Sequence, residues 1–232
     1  MKTALLIINE LQNQPDCLFI ASEIYNNHFR NLISETAYYQ TLTRMCKHNT
    51  LVRLTKGIYY IPSKTRFGTI TPSDKDIINY FTADGNGVVL GYYMYNSIGI
   101  TTHISETIHI LSSRIQEKRR TINNTIIEKL NINYTEQRQS VLYILDILYH
   151  FKSIEDINYN AFYLFCRQFA YYYNDFETKY IIEKTNYPKW TIAFLAEVLN
   201  YFNTKNSLSH YLSSLSKYNI PNVEKTFNSV IK

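Results

Sequence analysis

The sequence predicts an α+β protein: an N-terminal winged helix-turn-helix, then a small mixed α/β unit, then a mainly helical C-terminal region. Three observations lead there. Leu51 to Pro62 alternates like two short strands joined by a tight turn at Thr55-Lys56-Gly57. A helix-like segment, Ser34 to His48, runs directly into that hairpin. From Glu136 onward, apolar residues recur at helical spacing almost to the end.

The first stretch reads as a short amphipathic helix over residues 3–13, with Ala4, Ile7, Ile8 and Leu11 on one stripe and Asn13-Gln14-Pro15 as its end. Cys17 to Ile20 is a brief apolar run. Ser22 then offers a cap for a second short helix, Glu23 stands in its first turn, and Asn26-Asn27-His28 breaks it. Ser34 caps the third helix, with Glu35 and Thr36 following. Tyr38, Leu42 and Met45 form the inward stripe of that helix. Thr36, Gln40, Thr43 and Lys47 take the opposite face, flanked by Tyr39 and Arg44. A helix of this length with hydrogen-bonding residues outward fits a DNA major groove; a solvated face is the other reading.

In the hairpin, Val52 and Leu54 share one face and Arg53 the other. Gly57 supplies the positive φ that a three-residue turn with a bulge needs. Lys56 stands at the tip, where a wing meets a phosphate, and Pro62 ends the second strand. Ser63 to Gly68 reads as a polar linker, which places the domain boundary at 67/68: residues 1–67 a DNA-binding winged helix-turn-helix, 68–135 mixed α/β and 136–232 helical. Ser73 or Asp74 caps a helix through Phe81, and Asp84-Gly85-Asn86-Gly87 is a turn before the buried strand Val88-Val89-Leu90. Gly91 to Ile98 is a short helix closed by Gly99, Thr107 to Leu111 a strand, Arg114 to Arg120 a basic loop, and Thr121 to Leu130 one or two strands more. Val141, Ile144, Leu145 and Leu148 make a clean stripe. Ala161 to Tyr173 is apolar and aromatic, and Pro188 precedes a helix with Trp190, Phe194, Leu195 and Val198. Leu208–Leu215 and Val223–Ile231 close the chain as shorter helices.

The charge of +5 is unevenly placed. Arg30, Arg44, Lys47, Arg53, Lys56, Lys64 and Arg66 face only Glu35 within residues 30–66, a local +6 that leaves −1 on the remainder. Such a localised field points to a polyanion partner, or else to a solvated basic face. The 22 tyrosines fit base stacking, but Asn, Ile and Lys are abundant too, as AT-rich codons favour. The 45% hydrophobic content suffices for a buried core. Cys17, Cys46 and Cys166 are scattered and unpaired in spacing, and no apolar run is long enough to span a bilayer, so a cytoplasmic protein is expected.

Asp74-Lys75-Asp76 is the nearest approach to a metal-holding carboxylate pair. Its middle residue is Lys, Gly68-Thr69 lies too close before it, and it reads as two acids at a helix start. His103 and His109 are isolated. No phosphate loop, nucleophile elbow or dinucleotide fingerprint occurs, so no catalytic residue, metal or cofactor is expected and the protein is not read as an enzyme.

The order of Phe19-Ile20-Ala21-Ser22-Glu23-Ile24, Leu42-Thr43-Arg44-Met45 and Leu51 to Tyr60 resembles the N-terminal domain of AbiEi-type antitoxins of bacterial type IV toxin–antitoxin systems. The resemblance continues through Ile70-Thr71-Pro72-Ser73, Gly91 to Asn96, Gly99-Ile100-Thr101-Thr102 and the Thr107–Leu111 strand. It covers roughly residues 17–150, with the Lys56-Gly57 hairpin its most specific part. Family members commonly carry a Ser-Ala-Leu-like helix where this chain has Tyr92-Tyr93-Met94-Tyr95. The resemblance implies a transcriptional autorepressor that binds inverted repeats in its own promoter. It also implies a C-terminal antitoxin-like domain that counteracts a nucleotidyltransferase-like toxin, with or without a stable complex. On this reading Thr36, Tyr39, Gln40, Thr43 and Arg44 meet base edges or the groove rim, and Lys47, Arg53 and Lys56 hold phosphates. The expected partners are double-stranded DNA, the toxin, and a second copy on a two-fold operator; no membrane is expected. The alternatives are a winged-helix regulator whose C-terminal domain senses a ligand or partner, an enzyme with a winged-helix targeting arm, and a protein-interaction module.

Overall fold

Apolar residues at helical spacing fold Lys2–Gln12 into α1, which buries Ile7 and Leu11. The computed structural model describes residues 2–12, 18–66 and 68–230. Contacts divide the chain into Met1–Phe81 and Thr82–Lys232. The expected boundary at 67/68 therefore lies fourteen positions before the division after Phe81, and residues 68–81 group with the winged helix.

In the first unit β1 (Leu18–Ile20) leads into α2 (Ala21–Ile24), which passes directly into a π-helical turn, Tyr25–Phe29. After a short connection comes α3 (Glu35–Lys47), then the hairpin of β2 (Val52–Thr55) and β3 (Ile58–Tyr60). The sheet order is β1-β3-β2, all antiparallel, with Leu18 and Val52 both facing Tyr60 across β3. Its core gathers Ile7, Leu11, Phe19, Ile24, Phe29, Tyr38, Leu42, Met45, Leu51 and Tyr59. This is the winged helix-turn-helix order: two helices joined by a turn, and a hairpin whose inner strand pairs with the strand before them.

Several local expectations are corrected. Ser22 does not cap α2: Ile20 occupies the cap position with no side-chain bond, and the Ala21 N–H donates to the Gly57 carbonyl at 2.9 Å. Nor does Asn26-Asn27-His28 break the helix, because Phe29 is buried and draws the backbone through a further turn. The hairpin tip is Lys56-Gly57, with Thr55 opposite Ile58 and the register shift between Arg53 and Thr55. The supposed linker contains a second hairpin, β4 (Ser63–Thr65) and β5 (Gly68–Ile70), whose strand-forming threonines the polar composition masked. The expected ends at Asn13-Gln14-Pro15 and Ile231, with Cys17 and Phe67, lie outside the described residues. Ser73 starts α4 (Asp74–Thr82) through a reciprocal capping box: its Oγ accepts the Asp76 N–H at 3.3 Å, while Asp76 Oδ2 accepts the Ser73 N–H at 2.8 Å.

The second unit places a four-stranded sheet against helices. β6 (Gly87–Leu90) precedes α5 (Tyr92–Ser97), followed by β7 (Ile108–Ser112), β8 (Arg119–Ile122) and β9 (Thr125–Lys129). Their order is β6-β7-β9-β8, with only β7 and β9 parallel. Arg119 and Arg120 thus belong to a strand and not to the expected loop. Helices α6 (Glu136–His150), α7 (Tyr159–Tyr171), α8 (Asp175–Lys184) and α9 (Lys189–Tyr201) supply most of the core, and α10 (Val223–Asn228) closes on Phe227. Between α9 and α10, Leu208–Leu215 forms only a 3-10 turn, Leu208–Tyr211, anchored by buried Leu208.

Candidate nucleic-acid interface

Ser34 starts α3 by turning its Oγ back to accept the Ala37 N–H at 3.3 Å. From there the helical period sorts the side chains. Tyr38, Thr41, Leu42 and Met45 are buried. Thr36, Gln40, Thr43, Arg44 and Lys47 are exposed, and Tyr39 is half-buried between the two sets. Thr36, Tyr39, Gln40, Thr43 and Arg44 border one open depression. Lys47 follows Thr43 by one turn on the same face.

Internal bonds orient this face. Thr41 Oγ1 donates to the Ala37 carbonyl at 2.7 Å and accepts from Arg44 Nη2 at 3.1 Å, which tethers the guanidinium by one of its N–H groups. Thr43 Oγ1 donates to the Tyr39 carbonyl at 2.9 Å, so its lone pairs remain to accept. Tyr39 meets Tyr38 edge to face, with ring centroids 5.3 Å apart. Burial, with Glu35, Tyr59 and Tyr25 nearby, pushes the Tyr39 phenol up, which keeps it a neutral donor.

The hairpin carries two further cations, Arg53 and Lys56. Arg53 is exposed and opposite Tyr59, and its Nε donates to the Thr55 carbonyl at 3.3 Å. Burial raises the Cys46 thiol and the Tyr59 phenol, and the Arg53 charge works against both shifts. Arg53 therefore lies next to the last turn of α3. Lys56 is exposed at the tip, where Gly57 holds φ at 78°. Arg30, in the connection before α3, and Arg66, between β4 and β5, are exposed; the Lys64 side chain lies outside the described residues.

Elsewhere the charged motifs find partners within their own unit. Arg120 pairs with Glu117, and Arg119 Nε lies 3.8 Å from Glu128. Hydrogen bonds from Ser73 hold the Asp76 carboxyl below its usual range, as a cap would. Among the described residues no group of three His, Cys, Asp or Glu could hold a metal ion, and no helix is long and apolar enough to cross a membrane. His103 lies 3.3 Å from Glu155 and is partly exposed. Sequence reasoning missed a cluster in the second unit, Tyr95, Asp146 and His150. Its signal is an acid inside the apolar run Leu145-Asp146-Ile147-Leu148.

A protein-family model described as a family of unknown function (DUF6088) matches residues 11–145. None of the curated proteins compared matches the chain. Among solved structures, the chain is similar to the RV2827C protein from Mycobacterium tuberculosis, at 8% identity and a TM-score of 0.43, covering 86% of this chain and 77% of that one.

Proposed function

The chain belongs to DUF6088, a family of unknown function, and from that premise we propose that its N-terminal unit binds double-stranded DNA as a transcriptional autorepressor. One observation carries the reading: five residues of α3, each able to hydrogen-bond, border a single depression, with Lys47 one turn further along the helix and Arg53 exposed on β2. Gln and Arg make bidentate contacts with purine edges in the major groove, while Lys and Arg beside them neutralise phosphates. In this reading Thr36, Tyr39, Gln40, Thr43 and Arg44 face the bases or the groove rim, and Lys47, Arg53 and Lys56 hold the backbone. The finer proposal is an antitoxin of the AbiEi type, repressing its own operon as a dimer on inverted repeats and counteracting a nucleotidyltransferase-like toxin.

A gel shift of the intact protein on its own upstream DNA tests the reading. Gln40→Ala and Arg44→Ala each weaken specific binding by about 1–3 kcal/mol and relax preference at one base position. Unchanged promoter binding in both variants removes α3 from the groove. For the finer proposal, co-expression with a nucleotidyltransferase-like toxin encoded in the same operon restores growth; continued arrest, or an operon that encodes no such protein, refutes it. A second reading, a regulator whose second unit senses a small ligand, is favoured by a cavity in that unit.

A further inference from the structure

A cavity of about 560 Å³ opens in the second unit between the face of β7 and β9 that carries His109 and Ile126, the start of α5, the end of α6 and the connection from α8 to α9. That volume falls within the range of small-molecule sites. Asp146 forms part of its wall although it is only 6% exposed. A buried carboxylate is costly unless hydrogen-bonded, and this one is built in with care. Its Oδ2 accepts from the Gly91 N–H at 3.0 Å and from the Tyr95 hydroxyl at 2.7 Å. Gly91 reaches that position at φ 70°, ψ −157°, a backbone region that is essentially glycine's alone. Oδ1 has His150 Nδ1 at 3.5 Å, a long contact that leaves acceptor capacity to spare.

Aromatic rings surround this acceptor. Tyr92, Tyr95, Tyr149 and Tyr187 all line the cavity. Tyr149 is fixed from behind by Trp190, stacked at 5.6 Å, and from the side by Tyr187, edge on at 5.8 Å. Burial, with Asp146 close by, keeps both Tyr95 and Tyr187 neutral. The carboxylates and ammoniums of the lining cancel, Asp146 and Glu128 against Lys129 and Lys184, and His150, whose imidazole the hydrogen bond to Asp146 pushes up, adds at most a partial positive charge beside that carboxylate. That balance favours neither an organic cation nor an anion. It favours a neutral, flat molecule with N–H groups for Asp146 and π-faces for the tyrosines.

We propose that this cavity binds a neutral planar nitrogen heterocycle of the nucleobase class, with its N–H edge on Asp146 and its ring against Tyr149. The site stands apart from the DNA reading, and it is tested without DNA, so either can fail alone. Isothermal titration of the intact protein uses adenine, guanine, cytosine and uracil as probes, with choline and inorganic phosphate as charged controls. At least one base binds saturably at one per chain, and Asp146→Asn lowers its affinity tenfold or more. Tyr149→Ala, at a ring that is 43% exposed, gives a comparable loss. Should Asp146→Asn fail to fold, Tyr149→Ala decides alone. No binding by any base at millimolar concentration, binding of choline or phosphate in preference, or undiminished affinity in Tyr149→Ala overturns the proposal.

Discussion

Tyr38 shows how single atoms decide stability in this protein. Its ring fills the first unit's core against Tyr25 and Phe29, with centroids 5.3 and 5.6 Å away, yet its buried hydroxyl has no hydrogen-bond partner among the described residues. A buried hydroxyl without a partner costs about 1–3 kcal/mol. Tyr38→Phe keeps the packing and removes that cost, so it raises stability by about 1 kcal/mol in urea unfolding; destabilisation would mean that the hydroxyl has a partner after all. Asp175 is the opposite case. Burial works against its charge, but hydrogen bonds from Ser207, Lys179 and Tyr173 outweigh that and hold its carboxyl well below the usual range. A depressed carboxylate pKa stabilises the fold above the unfolded value of about 4 and loses that contribution as pH falls toward the folded value. Asp175→Asn therefore lowers the Tm at pH 7 and shows less further loss below pH 4 than the parent; parallel acid profiles would contradict this.

At the scale of elements, legibility followed the range of the interactions. The cap at Ser34, the buried stripe of α3 and the strand pair around Gly57 depend on neighbours a few residues away, and the sequence alone revealed them. The start of α2 depends on the Gly57 carbonyl, and Ile20 N–H finds the Tyr80 hydroxyl at 3.0 Å from 60 positions along the chain, so no local pattern announced either. The same holds for the cavity, since Gly91 and Asp146 are 55 positions apart. The outward residues of α3 were legible because one helical period fixes them together; the place of Arg53 beside α3 needed the packed sheet. The wing itself is sensitive at Gly57. An alanine there meets no neighbour within 4 Å but must hold φ near +78°, which costs about 1–2 kcal/mol. Gly57→Ala lowers stability by that amount and weakens DNA binding on all sequences alike through the displaced tip; unaltered stability would show that the hairpin shifts freely.

Across the whole molecule, the charge is divided as a nucleic-acid binder divides it. The local +6 of residues 30–66 is set in a chain whose remaining residues sum to −1. Arg119 and Arg120, read from the sequence as part of a basic loop, lie against Glu128 and Glu117. The proposed polyanion binding accordingly rests on the cations of the first unit. The most direct measurement is fluorescence anisotropy of the intact protein on its upstream duplex across a salt series, beside the variant Lys47→Ala/Arg53→Ala/Lys56→Ala. Each phosphate neutralised contributes about 0.9 to the slope of log K against log salt, so the triple variant flattens it by roughly three units per bound chain. A parent protein that binds the duplex with the same slope as the triple variant would place the phosphate contacts elsewhere and contradict the account.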